Sequence, residues 1–387
     1  MLRLSRQLPV LLVLAAALAL PGAAAAKKPP PPPQPPSTVS AYGLNALRAE
    51  WLADFPIGVE DLGRMGAAKI GMYRARFRQD QVLSNGTYSN WARLDNLAKQ
   101  ASLQGVTLVP ILMNMPGESY TPPHTATERD QFGSFAQAAA RRYGVSGSFW
   151  SSCGCPSRPV QVWELWNEPN ITPYWDAPSG TDYAGLLQVV RSRLRAVNSG
   201  ARIMVGGLAH ASSYDGVTRV SPTNFIRDIV QTAGPSSFDA LALHDYHSNA
   251  SSGVTALGTT VAALKQYAGT DSSGAPRQQV WINEFGKATA LDNPSTPDVD
   301  EAAQSEVTQR TWLNTFADGV LANRAAWNLG PLFWYSVRDD QNPSEAWLRL
   351  GLRRTTADDR DAGAKLAWDA YVARSSAAAA LPLPAVR

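Results

Sequence analysis

Few residues of this 387-residue chain belong to metal or thiol chemistry: it has two cysteines and four histidines. Cys153 and Cys155 are separated only by Gly154, and no second cysteine pair exists to complete a zinc site. Two free thiols, an intermolecular bridge and a strained small-ring disulfide all remain open for the pair. His244 and His247 stand three apart at the end of an apolar run, but on a strand such positions face opposite sides. Neither a metal nor a cofactor is therefore expected. An excess of one charge is also missing. The chain has 35 Lys+Arg against 32 Asp+Glu, for a formal +3. That leaves no electrostatic footprint for nucleic acid. Past the N-terminal region, no apolar run is long enough to span a bilayer.

The N-terminus carries a targeting pattern. Arg3 and Arg6 precede an apolar stretch from Leu8 to Leu20, and Ala24-Ala25-Ala26 offers small residues for cleavage. Residues 1–26 are read as a secretory signal peptide, so the protein is expected outside the cell. Removing them leaves 33 basic against 32 acidic residues, close to neutrality. Residues 27–37 are rich in proline and read as an extended spacer. The tail, residues 375–387, is rich in Ala and Pro and is expected to be unpacked.

Between these ends, apolar strands alternate with amphipathic helices, the pattern of an α/β fold with a parallel sheet. Eight strands are expected near Ser40–Leu44, Lys69–Phe77, Thr107–Met113, Val160–Trp166, Arg202–Gly207, Ala240–His244, Val280–Asn283 and Leu332–Ser336. Tyr183, Leu186, Leu187, Val190, Leu194 and Val197 keep helical spacing, as do Phe132, Phe135, Ala139 and Tyr143. A last helix is expected near Asp358–Val372. No composition break divides residues 38–374, which read as one catalytic domain.

Two of the strands end in a carboxylate. Val160-Gln161-Val162-Trp163-Glu164-Leu165-Trp166-Asn167-Glu168-Pro169 runs into Glu168, and Val280-Trp281-Ile282-Asn283-Glu284-Phe285-Gly286 into Glu284. Buried and close together, two carboxyl groups can have their pKa values driven apart into an acid and a nucleophile. The Trp-Asn-Glu-Pro motif after strand four and the second Glu after strand seven resemble the clan A glycoside hydrolases, nearest to their families 39 and 5. The resemblance covers most of the chain. It implies a (β/α)8 TIM barrel whose strand ends share one mouth. It also implies retaining cleavage of O-glycosidic bonds in a poly- or oligosaccharide, with Glu168 as acid/base and Glu284 as nucleophile. A monomer is expected. The alternatives are a glycan-binding barrel without turnover and a transglycosylase.

Around the pair, Arg76 at the end of strand two is expected to supply a fixed charge to the nucleophile, and Tyr246 a hydroxyl. Asn167 is placed to bond the sugar 2-hydroxyl. His244 and Tyr246 share a face and resemble the clan's aglycone-side and nucleophile-supporting residues. By the same resemblance Trp334 floors the sugar subsite. Trp175 and Trp347 either extend the cleft or pack loops onto the barrel rim. A strand period of two puts Glu164, Trp166 and Glu168 on one face, with Glu164 either a buried polar group in the barrel interior or an ion-pair partner for Arg76 or another base.

Overall fold

The computed structural model describes residues 37–45, 56–117, 119–172, 174–211, 213–289, 305–340, 349–356 and 361–387. The expected signal peptide, nearly all of the proline-rich run and Trp347 lie outside them. Eight parallel strands close into a barrel. They are β1 (Tyr42–Asn45), β2 (Met72–Arg78), β3 (Thr107–Met113), β4 (Val162–Leu165), β5 (Arg202–Ala209), β6 (Ala240–Asp245), β7 (Gln279–Phe285) and β8 (Leu329–Tyr335). Their helical partners are α1 (Pro56–Ala67), α2 (Ala92–Leu103), α3 (Ala126–Tyr143), α4 (Gly180–Val197), α5 (Pro222–Ala233), α6 (Ala250–Ala268), α7 (Glu306–Ala322) and α8 (Leu366–Ala377). Among the described residues, no helix is long and apolar enough to cross a membrane.

Local chemistry sets the helix ends. Thr125 caps α3 in a reciprocal box with Glu128, and Arg141 and Arg142 sit in its last turn, where the helix dipole favours cations. The inward stripe Phe132, Phe135, Ala139 and Tyr143 is buried against the sheet. Ser179 caps α4 by accepting the Asp182 amide. The last helix starts later than expected. Arg353–Thr355 and Asp361–Ala364 first pair antiparallel. Gly363, at φ +108°, and the Asp361 carboxylate, which accepts the Gly363 amide, hold a turn that a helix cannot include.

Side chains inside the barrel form layers. The lower layer is apolar: Met72, Val109, Val162, Met204, Ala240, Ala242, Trp281 and Phe333. Trp281 and Phe333 stack with centroids 5.9 Å apart. A Cβ on Gly43 would lie 2.2 Å from the Phe333 ring, so β1 needs glycine there. The tail departs from the expected unpacked state. Leu381–Pro382 pairs antiparallel with Thr38–Val39, and Leu383 and Val39 pack against the lower layer. The Arg387 amide donates to Asp239 at 2.5 Å. Partial burial of Leu383 and these main-chain bonds hold a segment whose composition reads as disordered. Cys153 and Cys155 are joined as a disulfide in the loop before β4.

Candidate active site

Above the apolar layer the barrel interior becomes ionic. Arg74 on β2 donates to Glu164 through Nε at 2.6 Å and through its NH2 group at 2.8 Å. It also donates to Asn45 at 2.9 Å, to Asn167 at 2.8 Å and to Glu284. Glu164 further accepts the Gly207 amide at 3.0 Å and the Asn283 side-chain amide at 2.9 Å. Burial opposes the charge on Arg74, and Glu164 and Glu284 outweigh it, raising its pKa further.

Period two alone would turn Glu284 outward, because Trp281 and Asn283 already face in. The ladder between β6 and β7 shifts register between Ile282 and Glu284, so that Ile282 pairs with Leu243 and Glu284 with His244. This bulge brings Glu284 inward and turns Phe285 out against Phe316, with ring centroids 5.0 Å apart. Tyr246 donates its hydroxyl to Glu284 at 2.6 Å. Burial works to raise the Glu284 pKa. The positive fields of His244 and Arg74 and the Tyr246 hydroxyl prevail and hold it below the usual carboxylate range.

Glu168 reaches the same space by a different device. Strand β4 stops at Leu165, and Trp166 and Glu168 both take left-handed backbone, at φ +67° and +44°. Trp166 therefore leaves the interior face expected for it. It packs on Phe132 and Trp175 and donates its indole N–H to the Tyr174 carbonyl at 2.7 Å. The two-residue reversal returns Glu168 inward, where Oε1 lies 2.7 Å from His244 Nδ1. His244 fits only because β5 offers glycine opposite it, since a Cβ on Gly207 would lie 1.8 Å from its Nε2. One carboxylate oxygen of Glu168, one of Glu284 and a ring nitrogen of His244 all lie within 4.8 Å of one another. That spacing also suits metal donors, but here His244 Nδ1 stands at hydrogen-bond distance from Glu168.

The structure brings Glu168, Glu284, Asn167, His244 and Tyr246 together. It replaces two other expectations and decides between two readings of a third residue. The arginine on Glu284 is Arg74, not Arg76: Arg74 pairs in register with Asn45 at the depth of the carboxylates, and Arg76 lies two residues nearer the rim. Trp334 does not floor the site. It is fully buried in the outer layer against Phe285 and Trp312, and its indole N–H donates to the Leu350 carbonyl at 2.7 Å. Tyr335, one residue on, faces inward, with its ring 6.3 Å from that of Tyr246. Burial and then the Glu284 charge push its hydroxyl pKa up. Trp175 is also fully buried, on Trp166 and Tyr183, so of its two readings loop packing holds. Tyr174 and Tyr120 stand at the rim with rings 4.7 Å apart. The negative charge of Glu168, followed by burial, raises the Tyr174 hydroxyl pKa well above its ordinary value. Tyr120 and Tyr335 carried no sequence signal beyond their place after an apolar run.

The closed eight-stranded parallel barrel is similar in fold to several solved glycosidases. The exo-β-1,4-mannosidase Op5Man5 from Opitutaceae bacterium strain TAV5 superimposes with a TM-score of 0.57 at 16% identity. That match covers 88% of this chain, which spans 59% of the mannosidase chain. The family 1 β-glucosidase from Thermotoga maritima gives 0.59 at 13% identity, covering 88% of this chain and 98% of that one. The GH53 catalytic domain from Ignisphaera aggregans gives 0.58 at 16% identity, covering 89% and 97%. These matches spread over several families and do not single out family 39 or family 5. No family model matches the sequence, and no curated protein does.

Proposed function

We propose that this protein is a secreted, monomeric retaining glycoside hydrolase acting on a poly- or oligosaccharide. The observation that carries the reading is the pairing of Glu168 and Glu284 across the β4 and β7 ends, with oxygens inside 4.8 Å. Retaining glycosidases set their carboxyl groups ~5–5.5 Å apart, and inverting ones leave ~6.5–9.5 Å for a water. The low pKa of Glu284 suits a nucleophile that must be ionised.

In the first step Glu284 attacks the anomeric carbon while Glu168 protonates the glycosidic oxygen. The C–O bond breaks, the aglycone leaves as an alcohol, and a glycosyl ester remains on Glu284. Water then gives a proton to Glu168 and attacks the anomeric carbon, releasing the sugar and the Glu284 carboxylate. Asn167, fixed by Arg74 at 2.8 Å, is within the same cleft and suits the sugar 2-hydroxyl. Tyr335 offers an aromatic face where Trp334 had been expected.

The test is covalent trapping. Purified protein is incubated with a panel of activated 2-deoxy-2-fluoro glycosides, and intact mass and peptide mass are read. The expected result is one sugar adduct on the peptide carrying Glu284, with Glu284→Gln unlabelled and its turnover lowered by roughly 10⁴-fold or more. Labelling elsewhere, or normal turnover in Glu284→Gln, overturns the assignment. Glycan binding without turnover or label makes the protein a binding barrel.

A further inference from the structure

Two loops stand on the Glu168 side of the mouth, one between β3 and α3 and one between β4 and α4. The first carries Tyr120 and His124, the second Tyr174, Trp175 and Asp176. They meet twice. At the rim, the Tyr120 and Tyr174 rings pack at 4.7 Å. Behind it, His124 Nδ1 lies 2.6 Å from Asp182 and Nε2 lies 2.6 Å from Asp176. The ring also sets its edge on Trp175, with centroids 5.6 Å apart. Trp175 donates its indole N–H to the same Asp182 oxygen at 3.1 Å, and Arg129 donates to the other. Glu128 accepts the His124 main-chain amide at 3.1 Å.

An ionised carboxylate only accepts hydrogen bonds. With a carboxylate on each side, both ring nitrogens must carry a proton, so the clasp is complete only with His124 as imidazolium. A neutral ring would set a lone pair against one of the two aspartates. The charged groups facing His124 are Asp176, Asp182, Glu128 and Arg129. Partial burial works to lower its pKa, and the two aspartates overcome this and raise it. A raised histidine stabilises the loop fully below its unfolded value of ~6.5, and the contribution is lost as pH rises through the folded value.

We propose that His124 is a positioning residue, whose imidazolium fixes the Tyr120–Tyr174 wall beside Glu168 and ties substrate binding to pH. The substrate side of this rests on the glycosidase reading, and the clasp itself does not.

The test uses the full protein. The four histidine ring signals are titrated by NMR, with the His124 signal assigned by its loss in His124→Gln. Amide exchange of Tyr174 to Ala177, corrected for intrinsic rate, is followed over the same pH range. The wild type should titrate at His124 above ~6.5, and exchange at Tyr174 to Ala177 should accelerate through that transition. In Asp176→Asn, whose side chain is 69% exposed, both changes should move to lower pH. KM should rise several-fold above the transition while kcat holds. A His124 that titrates at or below the ordinary value, or exchange that ignores its titration, overturns the proposal. Absent turnover with an intact titration overturns only the glycosidase reading.

Discussion

Glu168 and Glu284 share one cleft and one imidazole, yet the protein holds them differently. Glu284 is gripped from several strands: Arg74 on β2, Tyr246 just past β6, and behind Arg74 the buried Glu164 on β4. Glu168 hangs from a left-handed turn, and its side chain meets His244. Arg74 and the Tyr246 hydroxyl bond Glu284, whereas the hydrogen-bond partner of Glu168 is His244. That contrast fits the roles proposed for them, Glu284 as nucleophile and Glu168 as acid/base.

After the loss expected of Glu284→Gln, the largest effect strikes the less-held partner. Glu168→Ala should lower kcat/KM on substrates with poor leaving groups by roughly 10²–10⁴-fold, the usual worth of general acid–base catalysis. Substrates with activated leaving groups should lose far less in the first step, and azide should restore part of the rate by replacing the water that Glu168 activates. Equal losses on both substrate types would move the acid elsewhere and end the contrast between the two glutamates.

The next effect lies behind Glu284. Glu164→Gln keeps the shape and removes the charge that Arg74 meets through two hydrogen bonds. Removing one member of a buried pair typically costs ~3–5 kcal/mol. Arg74 retains Glu284, so a loss of about 3 kcal/mol in urea unfolding is expected. A change within error would mean that Glu284 alone satisfies Arg74, and that the support behind it is not structural.

How much of this was legible in the chain follows from which forces act locally. The eight apolar runs and their order were readable because burial on both faces of parallel strands leaves continuous apolar stretches. Glu168 and Glu284 were readable as strand-end carboxylates. Their aim was not. It depends on a bulge at Asn283 and on left-handed turns at Trp166 and Glu168. The space around them also depends on other strands: a Cβ on Gly206 would lie 2.2 Å from the Trp166 carbonyl oxygen, and one on Gly207 would meet His244. The same gap explains Arg74 against Arg76 and Tyr335 against Trp334. In each case the strand was right, and so was the kind of side chain, an arginine in one and an aromatic in the other, while depth or face was settled by register across the barrel. The tail was missed because an Ala- and Pro-rich composition says nothing about Leu383 finding an apolar barrel floor.

The smallest effect offers the sharpest comparison, because it touches one hydrogen bond. Tyr246→Phe removes the hydroxyl that lies 2.6 Å from Glu284 and leaves the ring in place. A hydrogen bond to a charged group contributes ~1.5–3 kcal/mol, and one pKa unit corresponds to ~1.4 kcal/mol. The Glu284 pKa is held below its usual range, so losing a donor moves it upward. The acidic limb of kcat/KM against pH should therefore move to higher pH, with the basic limb unchanged. The basic limb reports the acid, which Tyr246 does not bond among the described residues. If the basic limb moved instead, the roles of Glu168 and Glu284 would be exchanged. If both moved together, the two carboxyl groups would titrate as one coupled pair, and their separate surroundings would not translate into separate protonation.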